Sequence, residues 1–181
     1  MIFDLKKLLC VIVHMMSKKC PKDNDVFRTS GNEFIYHPKE FNVIHFVMKE
    51  FPNYKWCINQ AVRIGNESIK PDLQLVLSDR IIFIEIDENK HKYYDNQNEK
   101  NRMIKLCNEM YYKNVFMIRF NPDDYIDGDK YVASCWGKKN NNKLYVCDKT
   151  QWNFRLDKLK KIVVECINGE CTEPIEVIFL F

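Results

Sequence analysis

Lys70-Pro71-Asp72-Leu73-Gln74-Leu75-Val76-Leu77-Ser78-Asp79-Arg80-Ile81-Ile82-Phe83-Ile84-Glu85-Ile86-Asp87 is the stretch on which the fold turns. Residues 73–77 alternate weakly between apolar and polar. Ser78-Asp79-Arg80 has the composition of a turn, and residues 81–87 are an almost unbroken β-branched run of the kind found in central strands. The spacing predicts an antiparallel hairpin, in which the start of the first strand lies beside the end of the second. Asp72 and Glu85 then meet at one end of the hairpin. Asp87 projects from the same face as Glu85, because side chains along a strand alternate with period two.

Three carboxylates gathered at the end of an apolar strand cost several kcal/mol unless a cation compensates them. A hard divalent ion with oxygen ligands, Mg²⁺ or Mn²⁺, answers that need and is able to activate water for attack on a phosphodiester. The competing account is that Asp72 and Glu85 are ordinary solvated charges at a hairpin end, as most strand-terminal acids are.

Outward from the hairpin, residues 38–51 carry Phe41, Ile44, His45, Val47, Met48 and Phe51 at helical spacing, with Glu40 near the start and Pro52 just beyond the end. Residues 56–64 read as a strand with a turn at Gly65-Asn66. Residues 94–112 read as a helix through Met103, Ile104, Leu106, Cys107 and Met110, and residues 115–120 as a strand stopped by Asn121-Pro122-Asp123. Strand, helix and strand in that order predict parallel pairing of residues 115–120 with the long strand. Further on, residues 131–136 and 144–147 suggest short strands around a basic loop, residues 156–167 a helix, and residues 176–181 a closing strand. The class is α/β.

The chain has 181 residues, 46% of them apolar, enough for one substantial core. A single domain over 1–181 is expected, its core at about 38–136, with 137–181 as a C-terminal extension packed on that core. A net charge of +3 permits a nucleic-acid partner without demanding one. The eight cysteines include no C-x-x-C pair, so free intracellular thiols are expected rather than a zinc cluster. Residues 1–16 read as an amphipathic helix, since no small-residue cleavage site follows the apolar stretch. No apolar run approaches the ~18 to 20 residues of a membrane-spanning helix.

After the hairpin come Glu88-Asn89-Lys90-His91, Tyr93, Tyr94, Glu99 and Arg102, and then Ile118-Arg119-Phe120-Asn121-Pro122-Asp123. Together with Asp72 and Ile84-Glu85-Ile86-Asp87, this pattern resembles the PD-(D/E)XK, restriction-endonuclease-like nuclease superfamily. Within it, the pattern is most similar to the very-short-patch-repair and homing-type branch and to uncharacterised proteins of large DNA viruses. The resemblance runs from about residue 40 to residue 136. It implies a mixed central sheet in which an antiparallel hairpin is followed by a helix and a parallel strand, flanked by helices.

The resemblance also implies roles. Asp72 would bridge the metal, Glu85 would be the second carboxylate, and the Ile86 carbonyl would complete the inner shell. Glu40 matches an acidic residue above the metal, and His91 matches a histidine suited to proton transfer. The sequence departs from the motif at Asp87, which stands where a lysine is usual. Asp87 would then bind a second metal or orient a water, with Lys90 or His91 as the missing donor. Glu99 and Arg102 recur in the resemblance, yet three residues apart on a helix they also make an ordinary surface pair worth ~0.2 to 0.5 kcal/mol.

Nucleic-acid contacts are expected from Lys70, Lys90, Lys92, Arg102 and Arg119, with Arg63 and Lys105 nearby and Tyr93 and Tyr94 interleaved for base stacking. Arg119 has a second reading, as the guanidinium that holds the acids together. Lys138, Lys139 and Lys143 form a further candidate contact. The function expected is an intracellular Mg²⁺- or Mn²⁺-dependent endonuclease acting on DNA in cytoplasm or nucleus, with no membrane partner and either a monomer or a homodimer. RNA is the second substrate candidate. An inactive, nuclease-derived nucleic-acid-binding module is the alternative from another class.

Overall fold

The computed structural model describes residues 38–64, 67–88, 114–139, 144–169 and 175–181, all within the compact unit Phe34–Phe181. Its first helix, α1 (Pro38–Glu50), buries Val43, Ile44 and Val47, with Phe51 just past its end. Those spacings repeat on one helical face, which is why the segment coils rather than extends. Pro52 bars its continuation.

Strands β1 (Trp56–Ile58), β4 (Leu73–Val76), β5 (Arg80–Ile86), β6 (Asn114–Phe120) and β11 (Ile175–Leu180) form, among the described residues, a five-stranded sheet in the order β1-β4-β5-β6-β11. β1 and β4 are antiparallel, as are β4 and β5, whereas β5, β6 and β11 run parallel. The predicted hairpin and the predicted parallel partner are both present. One face of the sheet, with Leu73, Leu75, Ile82, Ile84, Ile86, Phe116, Ile118 and Phe120, packs against α1 and the long helix α2 (Lys149–Asn168). The alternate residues Gln74, Ile81, Phe83, Val115 and Met117 are buried too, so β5 and β6 are covered on both faces, as their unbroken apolar sequence requires.

Three segments differ from the sequence expectation. Residues 56–64 do not make one strand, because Asn59 takes a left-handed conformation with φ 50 and gives its N–H to the Asp72 carbonyl at 3.0 Å. Asparagine is among the residues that tolerate this region. Beyond the break, β2 (Val62–Ile64) pairs with β3 (Glu67–Ile69) in a separate two-stranded sheet. Residues 131–136 also divide. β8 (Lys130–Val132) folds back on β7 (Tyr125–Asp127) across Gly128-Asp129, where Gly128 has φ 60, while β9 (Trp136–Lys138) pairs with β10 (Leu144–Val146). Glycine at the first position of a two-residue loop suits the twist of such a hairpin.

Helix α2 starts at Lys149, seven residues before the predicted Leu156, because Asp148 caps it by accepting from the Gln151 N–H at 2.9 Å. It ends at Gly169, which is left-handed with φ 79; an added Cβ there would lie 2.6 Å from the Arg80 guanidinium. Arg80 in turn donates to the Cys166 carbonyl at 3.0 Å, tying the first residue of β5 to the last turn of α2. Among the described residues, no helix is long and apolar enough to cross a membrane. The expected helices at residues 1–16 and 94–112 lie outside the described residues.

Candidate functional site

The register of β4 on β5 pairs Leu73 with Ile84, and one step further brings Asp72 opposite Glu85. At this edge Pro71 and Asp72 lie just before β4, and the Ile86 N–H finds the Asp72 carboxylate, at 2.7 Å. Asp72 therefore closes the open end of the hairpin and is held there half-buried.

That position has an electrostatic consequence. Burial pushes the Asp72 carboxyl up to about 6; the Ile86 N–H works against this, and the negative charges of Glu40, Asp87 and Glu88 add to it. Among the described residues, no cation offsets Asp72. Glu88 accepts the Glu40 N–H at 2.8 Å, and Glu40 accepts from the Asn59 side-chain amide at 3.4 Å, so the start of α1 is fastened to the end of β5.

Asp87 has a different neighbour. Arg119, next to Glu85 across the parallel pair, grips it with two hydrogen bonds, Nε to Oδ2 at 2.9 Å and Nη2 to Oδ1 at 2.5 Å. This fork-on-fork arrangement is the strong form of an ion pair. Of the two roles read for Arg119, holding the acids is the one seen here, and the side chain is only 9% exposed. The Ile86 carbonyl already accepts from the Glu88 N–H at 2.9 Å, and the Asp87 N–H donates to the Phe120 carbonyl.

Asp72, Glu85, Asp87 and Glu40 thus lie on elements that converge at one end of the sheet, and Lys70 stands exposed two residues before Asp72. Among the described residues, however, no three His, Cys, Asp or Glu side chains come together closely enough to hold an ion by themselves. His91, Lys90, Lys92, Glu99, Arg102, Lys105, Tyr93, Tyr94 and Lys143 lie outside the described residues, as does the side chain of Arg63. Lys138 and Lys139 are exposed on β9 and just after it, and the Lys139 ammonium lies 5.4 Å from the centre of the Tyr145 ring.

Sequence reasoning misses two features near this end. Glu88 stands in the pattern read from the sequence, but its bridge to α1 has no sign there. The second is a buried cation centre around Asp123. Lys39 pairs with the Asp123 carboxylate, while the fully buried Arg155 donates to the carbonyls of Asp123 and Ala133 and stacks on Tyr125 at 4.9 Å. Helical periodicity holds a signal for Arg155, which shares the stripe of Trp152, Leu156, Leu159 and Val163.

A comparison with models of known protein families finds none that matches this chain, and no curated protein matches it. The resemblance read from the motif rests on the residues alone.

Proposed function

We propose that this chain is a divalent-metal-dependent nuclease that hydrolyses phosphodiester bonds, with DNA as the preferred substrate, on a restriction-endonuclease-like core. The observation that carries the reading is Asp72. Its carboxylate is half-buried beside Glu40, Asp87 and Glu88, has no cation of the described chain against it, and has its pKa pushed up to about 6. An acid in that condition is one that an external cation stabilises strongly.

The residues that would hold Mg²⁺ or Mn²⁺ are Asp72 and Glu85, with the Ile86 carbonyl; their hard oxygen donors suit such an ion. When bound, the ion supplies positive charge against the negative charge that develops on the phosphate. The chain's own groups do the rest. The Arg119–Asp87 ion pair stiffens the end of β5 next to Glu85, and the Glu40–Glu88 link fixes the rim. Lys70 contacts the phosphate backbone, and His91 moves the proton.

A second reading, a nucleic-acid-binding module without catalysis, is favoured by one feature. Asp87, at the motif's lysine position, is engaged by Arg119 instead of offering a positive charge to the phosphate. Incubation of the purified chain with linear and circular DNA, and with RNA of matched sequence, separates the two. The nuclease reading expects cleavage with Mg²⁺ or Mn²⁺, loss of cleavage with chelator, and at least a hundredfold loss in Asp72→Ala and Glu85→Ala variants that remain folded. Binding without cleavage under all these conditions establishes the second reading.

A further inference from the structure

Cys135 and Cys147 stand just outside the paired strands β9 and β10, one residue beyond each. They are the residues next after the last register pair, Val146↔Trp136. The Cys147 N–H donates to the Cys135 carbonyl at 2.8 Å, and the next N–H, of Asp148, reaches the same oxygen at 3.3 Å. Residues of an antiparallel pair that are joined by such a backbone hydrogen bond have Cα atoms about 5.5 Å apart. A disulfide spans Cα atoms about 4.4 to 6.8 Å apart, a range that includes this separation. The Cys147 thiol already leans over its partner, with Sγ 3.2 Å from the Cys135 carbonyl oxygen.

The two thiols are unequal in a useful way. Cys147 is exposed and Cys135 is fully buried. Burial pushes the Cys135 thiol up; Arg155 opposes this, and Asp148 and Cys147 add to it. The accessible sulfur is therefore the one that meets an oxidant, and the buried one is held in reserve beside it.

We propose that Cys135 and Cys147 form a reversible dithiol site that takes a small-molecule disulfide, of which glutathione disulfide is the probe, and closes to an intramolecular disulfide. The Cys147 thiol loses its proton and its thiolate attacks one sulfur of the oxidant, whose S–S bond breaks to release one glutathione thiolate. The Cys135 thiol then loses its proton and attacks Cys147 Sγ, breaking the mixed disulfide and releasing the second glutathione. Two protein thiols are oxidised to one S–S bond, and one glutathione disulfide is reduced to two glutathiones, which take up the two protons. Closure joins the two ends of the segment that carries β9, Lys138, Lys139 and β10, just before the Asp148 cap of α2. The site stands independently of the nuclease reading.

The test is oxidation of the full native chain by glutathione disulfide, acid quenching, alkylation of remaining thiols and peptide mapping without reductant. Trypsin cuts at Lys138, Lys139 and Lys143, so the two cysteines fall on separate peptides. Cys135 and Cys147 are expected to escape alkylation together and to appear as one linked pair, which reduced glutathione reverses. In Cys135→Ser, Cys147 is expected to stop at the glutathione mixed disulfide; in Cys147→Ser, Cys135 is expected to stay alkylatable. Accumulation of the mixed disulfide on Cys147 in the wild-type chain, a linked pair with any other cysteine, or a Cys135 that stays reduced would overturn the proposal. The wild-type map decides the matter even if a variant fails to fold.

Discussion

Asp123 and Asp72 are both drawn out of water near the ends of central strands, yet the fold treats them differently. Asp123 is met by the Lys39 ammonium, and its backbone carbonyl by the buried Arg155 guanidinium. Among the described residues, Asp72 is met by the Ile86 N–H and has three acids within electrostatic reach. The first arrangement is complete within the described chain and fastens α1 and α2 to the end of β6. The second, among the described residues, leaves negative charge in excess, which protonation or a cation relieves. The proposed metal site lies at the acid that the described residues do not neutralise.

The complete side should be the more sensitive to mutation. Lys39→Met removes the ammonium from a buried carboxylate, which is worth about 3 to 5 kcal/mol of stability, read by chemical denaturation at neutral pH. A loss under ~1 kcal/mol would put Asp123 in the same class as Asp72 and dissolve the contrast. Next, Arg119→Ala strips Asp87 of two charge-assisted hydrogen bonds and should cost about 2 kcal/mol. It also adds a free negative charge beside Asp72, so divalent-ion affinity should rise as stability falls, a combination that calorimetric titration of Mn²⁺ reads directly.

Asp72→Asn should change stability in the opposite sense. The amide oxygen still accepts from the Ile86 N–H, but the uncompensated charge is gone. Because the Asp72 pKa in the fold lies above its ordinary 3.8, its stabilising contribution is complete below that pH and is lost as pH rises through about 6. The metal-free variant is therefore expected to be more stable than wild type at pH 8 by about 1 kcal/mol, a figure discounted for partial solvent access, and to gain nothing at pH 4. Thermal melts at the two pH values read the difference. An exposed acid that caps a helix offers the comparison with an effect of similar size and no link to the metal. Asp148→Ala should cost ~1 kcal/mol through loss of the α2 cap, with no change in metal binding.

Much of this architecture was legible in the chain. The β-branched run Ile81-Ile82-Phe83-Ile84 and the turn before it gave the hairpin, and the hairpin gave the opposition of Asp72 and Glu85. What was not legible depended on contacts distant in sequence. Nothing local announces that Asn59 will turn left-handed, since its partner is the carbonyl of Asp72. The Lys39–Asp123 pair joins residues 84 positions apart, and no periodicity links them. The early start of α2 did have a local sign, Asp148 followed by Gln151, which polar residues at 149–151 obscured by interrupting the apolar pattern.

Whether Asp72 awaits a metal ion is decided by the thermal midpoint of the full chain with and without Mn²⁺ or Mg²⁺, at pH 5 and pH 8, for wild type and Asp72→Asn. Ion at a hundredfold excess over its dissociation constant should stabilise the wild-type chain by about 2.7 kcal/mol at pH 8, by much less at pH 5 where Asp72 holds its proton, and the variant at neither pH. An equal upward shift in the Asp72→Asn variant, or no shift in the wild-type chain at pH 8, would contradict the claim that Asp72 is the acid left for a metal ion.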